Sequence, residues 1–143
     1  MTDPRSRRTV IAAYARTMFW IYAVLLFIGT HWPNLQIEGP FHRPDLVVHL
    51  FAFALWTLFA LACGWFGPPT SWPNIWRTGL IATAYAGVDE ALQAVPIVNR
   101  WAAWDDFFAN LLGVAAALLI AVVGNRTAQA RRDPQRGRTP DLR

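Results

Sequence analysis

Two pairs of polar residues spaced four apart interrupt otherwise apolar stretches of this sequence. Asp45 and His49 form one pair, and Asp106 and Asn110 form the other. Residues four apart lie on the same face of a helix, so the members of each pair can act together. A histidine beside a carboxylate could serve as a base that the carboxylate orients. The alternative is a hydrogen-bonded network that only locks helices together.

A third polar group contains two acids and an amide. Asp89, Glu90 and Gln93 share an arc of about 100° on a helix. In catalysis, Glu90 and Asp106 would be the acids or metal ligands beside His49, which makes these three the candidate catalytic residues. Asp89 and Gln93 would belong to the surrounding binding network.

Arg100 is the next candidate, because it precedes Asp106 by six residues on a short predicted loop. A guanidinium group there could bind a phosphate or a carboxylate of a ligand through two hydrogen bonds. An ion pair with Asp105 or Asp106 is the competing interpretation.

The composition indicates which elements must position these residues. The chain is 55% hydrophobic and 15% charged, whereas soluble domains carry about 25% charged residues. A membrane span needs about 20 predominantly apolar residues. Four stretches qualify, at about residues 12–29, 46–66, 75–95 and 107–124. We therefore predict an all-α bundle of four transmembrane helices over residues 11–124, with the lipid bilayer as its main partner.

The basic residues predict the orientation. Every basic residue is Arg, the net charge is +4, and the arginines concentrate near the two ends of the chain. Positively charged flanks remain in the cytoplasm, so residues 1–10 should form a cytoplasmic segment and residues 125–143 a disordered basic cytoplasmic tail. This distribution argues against a nucleic-acid partner. The first span is expected to be a retained anchor, because no small-residue cleavage site follows it.

This topology places all three polar groups at one depth, near the outer face. The second and fourth spans would begin there, and the third would end there. The residues expected to meet are Asp45, His49, Asp89, Glu90, Gln93, Asp106 and Asn110.

Small residues predict the faces along which the helices pack. Gly79, Thr83 and Gly87 form a small-xxx-small row on the third span, and Gly113 continues the stripe of Asp106 and Asn110 on the fourth. Such rows mark close helix–helix contacts in membranes.

Two histidines and the cysteine are expected to lie outside the site. His31 and His42 fall in the first predicted loop without a partner at helical spacing, so we expect them to be exposed to solvent. Cys63 lies in an apolar run and is expected to be a small packing residue. A single cysteine forms no intrachain disulfide.

The ordered motifs resemble those of the VanZ-like family of small bacterial membrane proteins. The resemblance covers about residues 10–124. Its family pattern is approximately D-K-x-x-H, then D-E-x-x-Q, then G-R-x-x-S-x-x-D-x-x-x-N-x-x-G. The matching positions here are Asp45, His49, Asp89, Glu90, Gln93, Arg100, Asp106, Asn110 and Gly113. Leu46, Asn99 and Ala103 depart from it, which puts in doubt any function that needs the family's Lys or Ser.

The resemblance implies a multi-pass protein of the bacterial inner membrane. The family takes its name from a member associated with low-level teicoplanin resistance, which implies a site that engages an envelope lipid or a cell-wall precursor. A hydrolase or transferase acting on a lipid-linked phosphate, or a purely structural or partner-binding bundle, is the alternative. No H-E-x-x-H, G-x-S-x-G or P-loop signature is present. Enzyme status therefore stays open, and no metal or cofactor is predicted.

Overall fold

A computed structural model describes residues 4–33, 43–95 and 103–132 of the chain. These ranges contain four α-helices and no strand, which confirms the all-α prediction for the part of the chain that they cover. The helices are α1 (Pro4–Thr30), α2 (Pro44–Cys63), α3 (Trp72–Gln93) and α4 (Trp104–Arg132).

Three of the helices are long and apolar enough to cross a membrane. Their candidate spans are Val10–Thr30, Pro44–Cys63 and Trp104–Ala130. The third helix, α3, has a similar length of 22 residues but is not one of the three. It carries Arg77 near its beginning and Asp89 and Glu90 near its end.

Proline and glycine residues set the ends of the central helices. Pro44 occupies the first turn of α2, where its missing N–H costs no helical hydrogen bond. The helix ends because Gly64 adopts a left-handed conformation (φ 60°) and donates its N–H to Leu61 O at 3.1 Å, as helix-terminating glycines commonly do. Pro73 marks the first turn of α3.

The closest helix packing joins α2 to α4. A Cβ atom at Gly113 would overlap the backbone carbonyl of Leu50 and lie 2.9 Å from the amide nitrogen of Ala54. Only glycine lets the two backbones approach this closely. α1 packs mainly on α2, and an apolar core that includes Phe19, Phe53 and Trp56 lies between the helices.

The distribution of exposed and buried side chains is the reverse of that in a water-soluble protein. Large apolar residues such as Ile11, Leu25 and Leu119 are exposed, and 11% of the apolar stretch of α1 is buried inside the bundle. Acids and amides, in contrast, are buried near the ends of the helices. Contiguous apolar surface of this extent requires an apolar environment, which supports lipid embedding.

Several predicted boundaries need correction. α2 ends at Cys63 rather than near residue 66, because Gly64 turns the chain. α4 continues to Arg132, so the first part of the tail predicted to be disordered, residues 125–132, is helical. That segment is rich in Ala, Arg and Gln, which are good helix formers. α1 likewise begins at Pro4, within the predicted N-terminal segment. Residues 133–143 lie outside the described ranges.

Candidate functional site

Polar side chains from all four helices meet at one end of the bundle. Here α1 and α3 end while α2 and α4 begin, and we call this the polar end. Within the described ranges it contains three connected features: a cluster around His49, a cluster around Asp89, and Glu90 beside the start of α4.

The His49 cluster consists of His49 on α2 and of Asp106 and Asn110 on α4. His49 Nδ1 lies 3.0 Å from Asn110 Oδ1, and His49 Nε2 lies 3.8 Å from Asp106 Oδ2. His49 is 3% exposed and Asn110 is fully buried. The i, i+4 spacing of Asp106 and Asn110 therefore presents both side chains to one imidazole ring.

The contacts of His49 constrain where its protons lie. An amide oxygen can only accept, so Nδ1 carries the proton that it donates to Asn110. In the neutral ring, Nε2 is then an acceptor that faces a carboxylate oxygen, which is unfavourable. The 3.8 Å between His49 Nε2 and Asp106 Oδ2 is too long for a direct hydrogen bond, so Nε2 can accept a hydrogen bond from a ligand.

Asp45 does not orient His49, contrary to the expectation from their spacing. Its carboxylate instead accepts hydrogen bonds from Arg43, including one of 2.9 Å from Nη2. Arg43 also donates to Asp105 and lies 3.7 Å from Asp106 Oδ1. The hydrogen bonds to Asp45 and then Asp105 raise the pKa of the guanidinium, so Arg43 is a permanent positive charge beside the His49 cluster. Asp45 thus pairs with the neighbouring Arg43 rather than with His49, four residues further along α2.

The Asp89 cluster joins the ends of α1 and α3. Asp89 is fully buried and accepts two hydrogen bonds of 3.0 Å, from Thr30 Oγ1 and from Gln93 Nε2. His31 Nδ1 lies 3.8 Å from the same carboxylate and 2.9 Å from Thr30 Oγ1. The i, i+4 relation of Asp89 and Gln93 accounts for the second contact.

His31 was therefore predicted wrongly as a solvent-exposed loop residue. Its side chain is 10% exposed, and its ring stacks on Phe27 with centroids 4.2 Å apart. The cause is the length of α1, which ends at Thr30 and so carries His31 to Asp89. Thr30, His31 and Arg43 are the site residues that sequence reasoning missed. The sequence feature that could have indicated His31 is the adjacent Thr30, because threonine side chains form local hydrogen bonds at helix ends.

Glu90 lies between the two clusters. Its Oε1 accepts a hydrogen bond of 2.7 Å from the backbone N–H of Ala103, just before α4. A carboxylate is favourable there, because the beginning of a helix carries partial positive charge. Glu90 is 8% exposed, and it lies close enough to His49, Asp89 and Asp106 for their charges to act on it.

Several buried polar atoms at this end have no hydrogen-bond partner within the described ranges. They are acceptors on three side chains, one amide donor and one ring nitrogen: Glu90 Oε2, Gln93 Oε1, Asp106 Oδ1, Asn110 Nδ2 and His31 Nε2. A buried polar group without a partner costs about 1–3 kcal/mol. The polar end thus retains hydrogen-bonding capacity that a polar ligand could use.

The predicted packing glycines have unequal surroundings. Gly113 contacts the backbone of α2, and a Cβ at Gly79 would lie 2.8 Å from the side chain of Leu118. At Gly87, a Cβ would meet only Phe107, at an ordinary 3.9 Å. Thr83, in the same predicted row, is exposed.

Two of the predicted residues, Arg100 and His42, lie outside the described ranges. Among residues 4–33, 43–95 and 103–132, no group of three or more His, Cys, Asp or Glu side chains could hold a metal ion. Cys63 is a buried free cysteine.

Comparison with known proteins supplies no relative. No protein-family model, no curated protein and no solved structure matches this chain. The VanZ-like resemblance therefore stays a prediction, and the site is interpreted from its own geometry.

Proposed function

We propose that α3 is the fourth membrane span and that both ends of the chain lie in the cytoplasm of a bacterium, so that the polar end faces outward. At 1.5 Å per residue, the 22 residues of α3 extend about 33 Å, enough to cross the hydrocarbon layer. The acids of α3 lie in its last turns, where the cost of charge in a membrane is lower. The arginine-rich ends support this orientation.

At this outward end, the protein binds the polar head group of an envelope lipid or a lipid-linked cell-wall precursor. One observation carries the proposal: the His49 cluster is buried, places an imidazole beside a carboxylate, and leaves Asp106 Oδ1 and Asn110 Nδ2 without a hydrogen-bond partner in the described part of the chain. Phosphate and sugar groups offer both acceptors and donors to such atoms. The VanZ-like resemblance supports an envelope ligand, and it would extend to an influence on teicoplanin susceptibility.

Energetics favour binding over a purely structural role. A hydrogen bond between helices in a membrane protein contributes about 0.6 kcal/mol on average. Asp106 lies in the first turn of α4, where burying a charge costs less than the about 2.5–3.5 kcal/mol found at a helix centre. Its Oδ1 nevertheless has no hydrogen-bond partner in the described part of the chain to offset that cost, whereas apolar side chains would hold the same helices together without burying a carboxylate.

The experiment measures binding of a purified lipid-linked peptidoglycan precursor to the protein in detergent, with phosphatidylcholine as a reference lipid. We expect His49→Gln and Asn110→Leu each to weaken precursor binding about tenfold or more, equivalent to about 1.4 kcal/mol. Thermal stability should change little. Gln129→Ala, an exposed substitution at the far end of α4, is the control and should bind normally.

Two results would contradict this function. One is that both variants bind the precursor as tightly as the unaltered protein. The other is that both lose thermal stability in proportion to the lost binding, which would identify the cluster as a structural bridge between α2 and α4.

A second candidate is a hydrolase or transferase that acts on a lipid-linked phosphate. The His49 imidazole beside the Asp106 carboxylate favours it, because acid–base catalysis needs a group that can exchange a proton. In hydrolysis, Nε2 of the neutral ring would accept a proton from water as the water oxygen attacks the terminal phosphorus of a lipid pyrophosphate. The bond between that phosphorus and the bridging oxygen would break, and the imidazolium would return the proton to the lipid phosphate that leaves. Turnover that His49→Gln removes would establish this activity, and absence of turnover across a panel of lipid pyrophosphates would reject it.

A further inference from the structure

A groove lies between the last turns of α3 and the start of α4. It encloses about 400 Å³ and is lined by Gly87, Glu90 and Ala91 from α3 and by Ala103, Trp104 and Phe107 from α4. Its walls are almost entirely apolar. Glu90 is the ionisable member of this lining.

The missing side chain of Gly87 makes room in the groove. A Cβ there would meet Phe107 at 3.9 Å and no other atom within 4 Å. This contrasts with Gly113, where the opposite helix fills the space. Gly87 therefore does not serve close helix packing, and a larger side chain at this position would extend into the groove.

The rim of the groove lies on the apolar exterior of the bundle. Trp104 is 79% exposed and the neighbouring Val88 is 53% exposed, and Ala91 is exposed as well. With α3 in the bilayer, these residues contact lipid chains directly. An acyl or isoprenoid chain can then enter sideways without passing through water.

Glu90 supplies the polar requirement. One of its oxygens is bound by the N–H of Ala103, but Oε2 is buried with no hydrogen-bond partner in the described part of the chain. A carboxylate oxygen only accepts hydrogen bonds. With Glu90 ionised, the molecule that completes this site brings a donor, and an apolar chain accompanies it.

We propose that the groove binds one chain of a membrane lipid whose head group donates a hydrogen bond from a hydroxyl or an ammonium group to Glu90. The proposal rests on the membrane setting of α3 proposed above. It adds a second contact, for the lipid part of the ligand, to the head-group site at His49.

The test reconstitutes the full chain in phosphatidylcholine vesicles that contain a brominated-chain lipid, which quenches nearby tryptophans. The brominated lipid is phosphatidylethanolamine (ammonium donor), phosphatidylglycerol (hydroxyl donors) or phosphatidylcholine (no donor). Subtracting the signal of Trp104→Phe isolates Trp104 at the rim. We expect a donor-bearing lipid to occupy the groove about fivefold more tightly than phosphatidylcholine, as one net hydrogen bond of about 1 kcal/mol implies.

Matched variants separate the groove from the rest of the surface. Gly87→Leu should abolish the lipid preference by filling the groove. Gly29→Leu makes the same change on α1, where no atom lies within 4 Å of the new Cβ, and should preserve it. Glu90→Gln should abolish a preference for the ammonium lipid and weaken one for the hydroxyl lipid.

Equal quenching by all three lipids, or a preference that survives Gly87→Leu, would overturn the proposal. His49→Gln distinguishes this failure from failure of the head-group site, because it should reduce precursor binding while leaving the lipid preference at Trp104 unchanged. If His49→Gln abolishes both precursor binding and the lipid preference at Trp104, the groove is not a separate site and the proposal fails.

Discussion

Among the described residues, two asparagines are fully buried at opposite ends of the bundle, and their surroundings differ. At the start of α3, Asn74 accepts a hydrogen bond from the Phe66 N–H at 3.2 Å and donates to the carbonyls of Leu61 and Pro69 at 3.0 Å each. At the polar end, the Asn110 side chain has one hydrogen bond, to the His49 ring, and its Nδ2 has no hydrogen-bond partner in the described part of the chain.

The difference separates a structural role from a functional one. Asn74 satisfies backbone groups at the turn between α2 and α3, and its own amide is fully used. Asn110 fixes the orientation of a titratable ring and retains a free donor. Buried polar groups that are fully satisfied rigidify a structure, whereas unsatisfied ones call for an explanation. We therefore assign a stabilising role to Asn74 and a ligand-binding role to Asn110.

The largest expected effect comes from Gly113, which tests whether backbone packing rather than the His49 contacts holds α2 against α4. Gly113→Ala forces its Cβ onto the backbone of Leu50 and Ala54, and backbone cannot yield as a side chain does. We expect a loss of about 3 kcal/mol in the free energy of unfolding. Denaturant titration of the protein in detergent measures it.

Gly87→Ala is the control for this effect, because its Cβ meets only Phe107 at an ordinary contact distance. It should change stability by less than about 1 kcal/mol, with a gain as the expected sign because alanine favours helix more than glycine does. Equal losses in the two variants would show that the close approach at Gly113 is not what holds the helices.

The two asparagines themselves provide the next test. Asn74→Ala leaves one backbone N–H and two carbonyls without their partner, so we expect a loss of about 2–3 kcal/mol. Asn110→Ala leaves one ring N–H, and the expected loss is about 1 kcal/mol. Thermal and chemical unfolding of both variants measure the two losses in the free energy of unfolding. A larger loss for Asn110 would reverse the assignment of roles.

The smallest expected effect concerns Arg43, which is 43% exposed. Its ion pairs with Asp45 and Asp105 are screened by water, so Arg43→Gln should lower the thermal stability only slightly. The loss should vanish at high salt. A cost that persists in high salt would show that Arg43 contributes to the buried cluster beyond a surface ion pair.

Part of this site follows directly from the sequence. Antiparallel helices with polar residues at alternate ends bring those residues to one depth, and the i, i+4 spacing of Asp106 and Asn110 puts both on the face that meets His49. The partners within the site do not follow in the same way. The i, i+4 spacing predicted Asp45 as the partner of His49. In the structure, Asp45 pairs with Arg43, and His49 contacts α4 instead.

Other features depend on geometry that the pattern leaves open. His31 entered the site because α1 continues to Thr30, and helix ends are the least certain feature of a sequence pattern. Asn74 was missed because its partners are backbone atoms in a turn, whose path residue types alone do not determine. The groove depends on the gap beside Gly87. From the sequence alone, a glycine beside a gap cannot be told from a glycine at a close helix contact such as Gly113.

The proposed site requires Asn110 to orient the His49 ring, and the position of the proton on that ring tests this most directly. It is measured by ¹⁵N–¹H NMR of histidine-labelled protein, with the His49 signals assigned from His49→Gln. We expect a proton on Nδ1, hydrogen-bonded to Asn110 Oδ1, and a change of tautomer in Asn110→Leu. A neutral ring that carries its proton on Nε2, unaffected by Asn110→Leu, would contradict the proposed site.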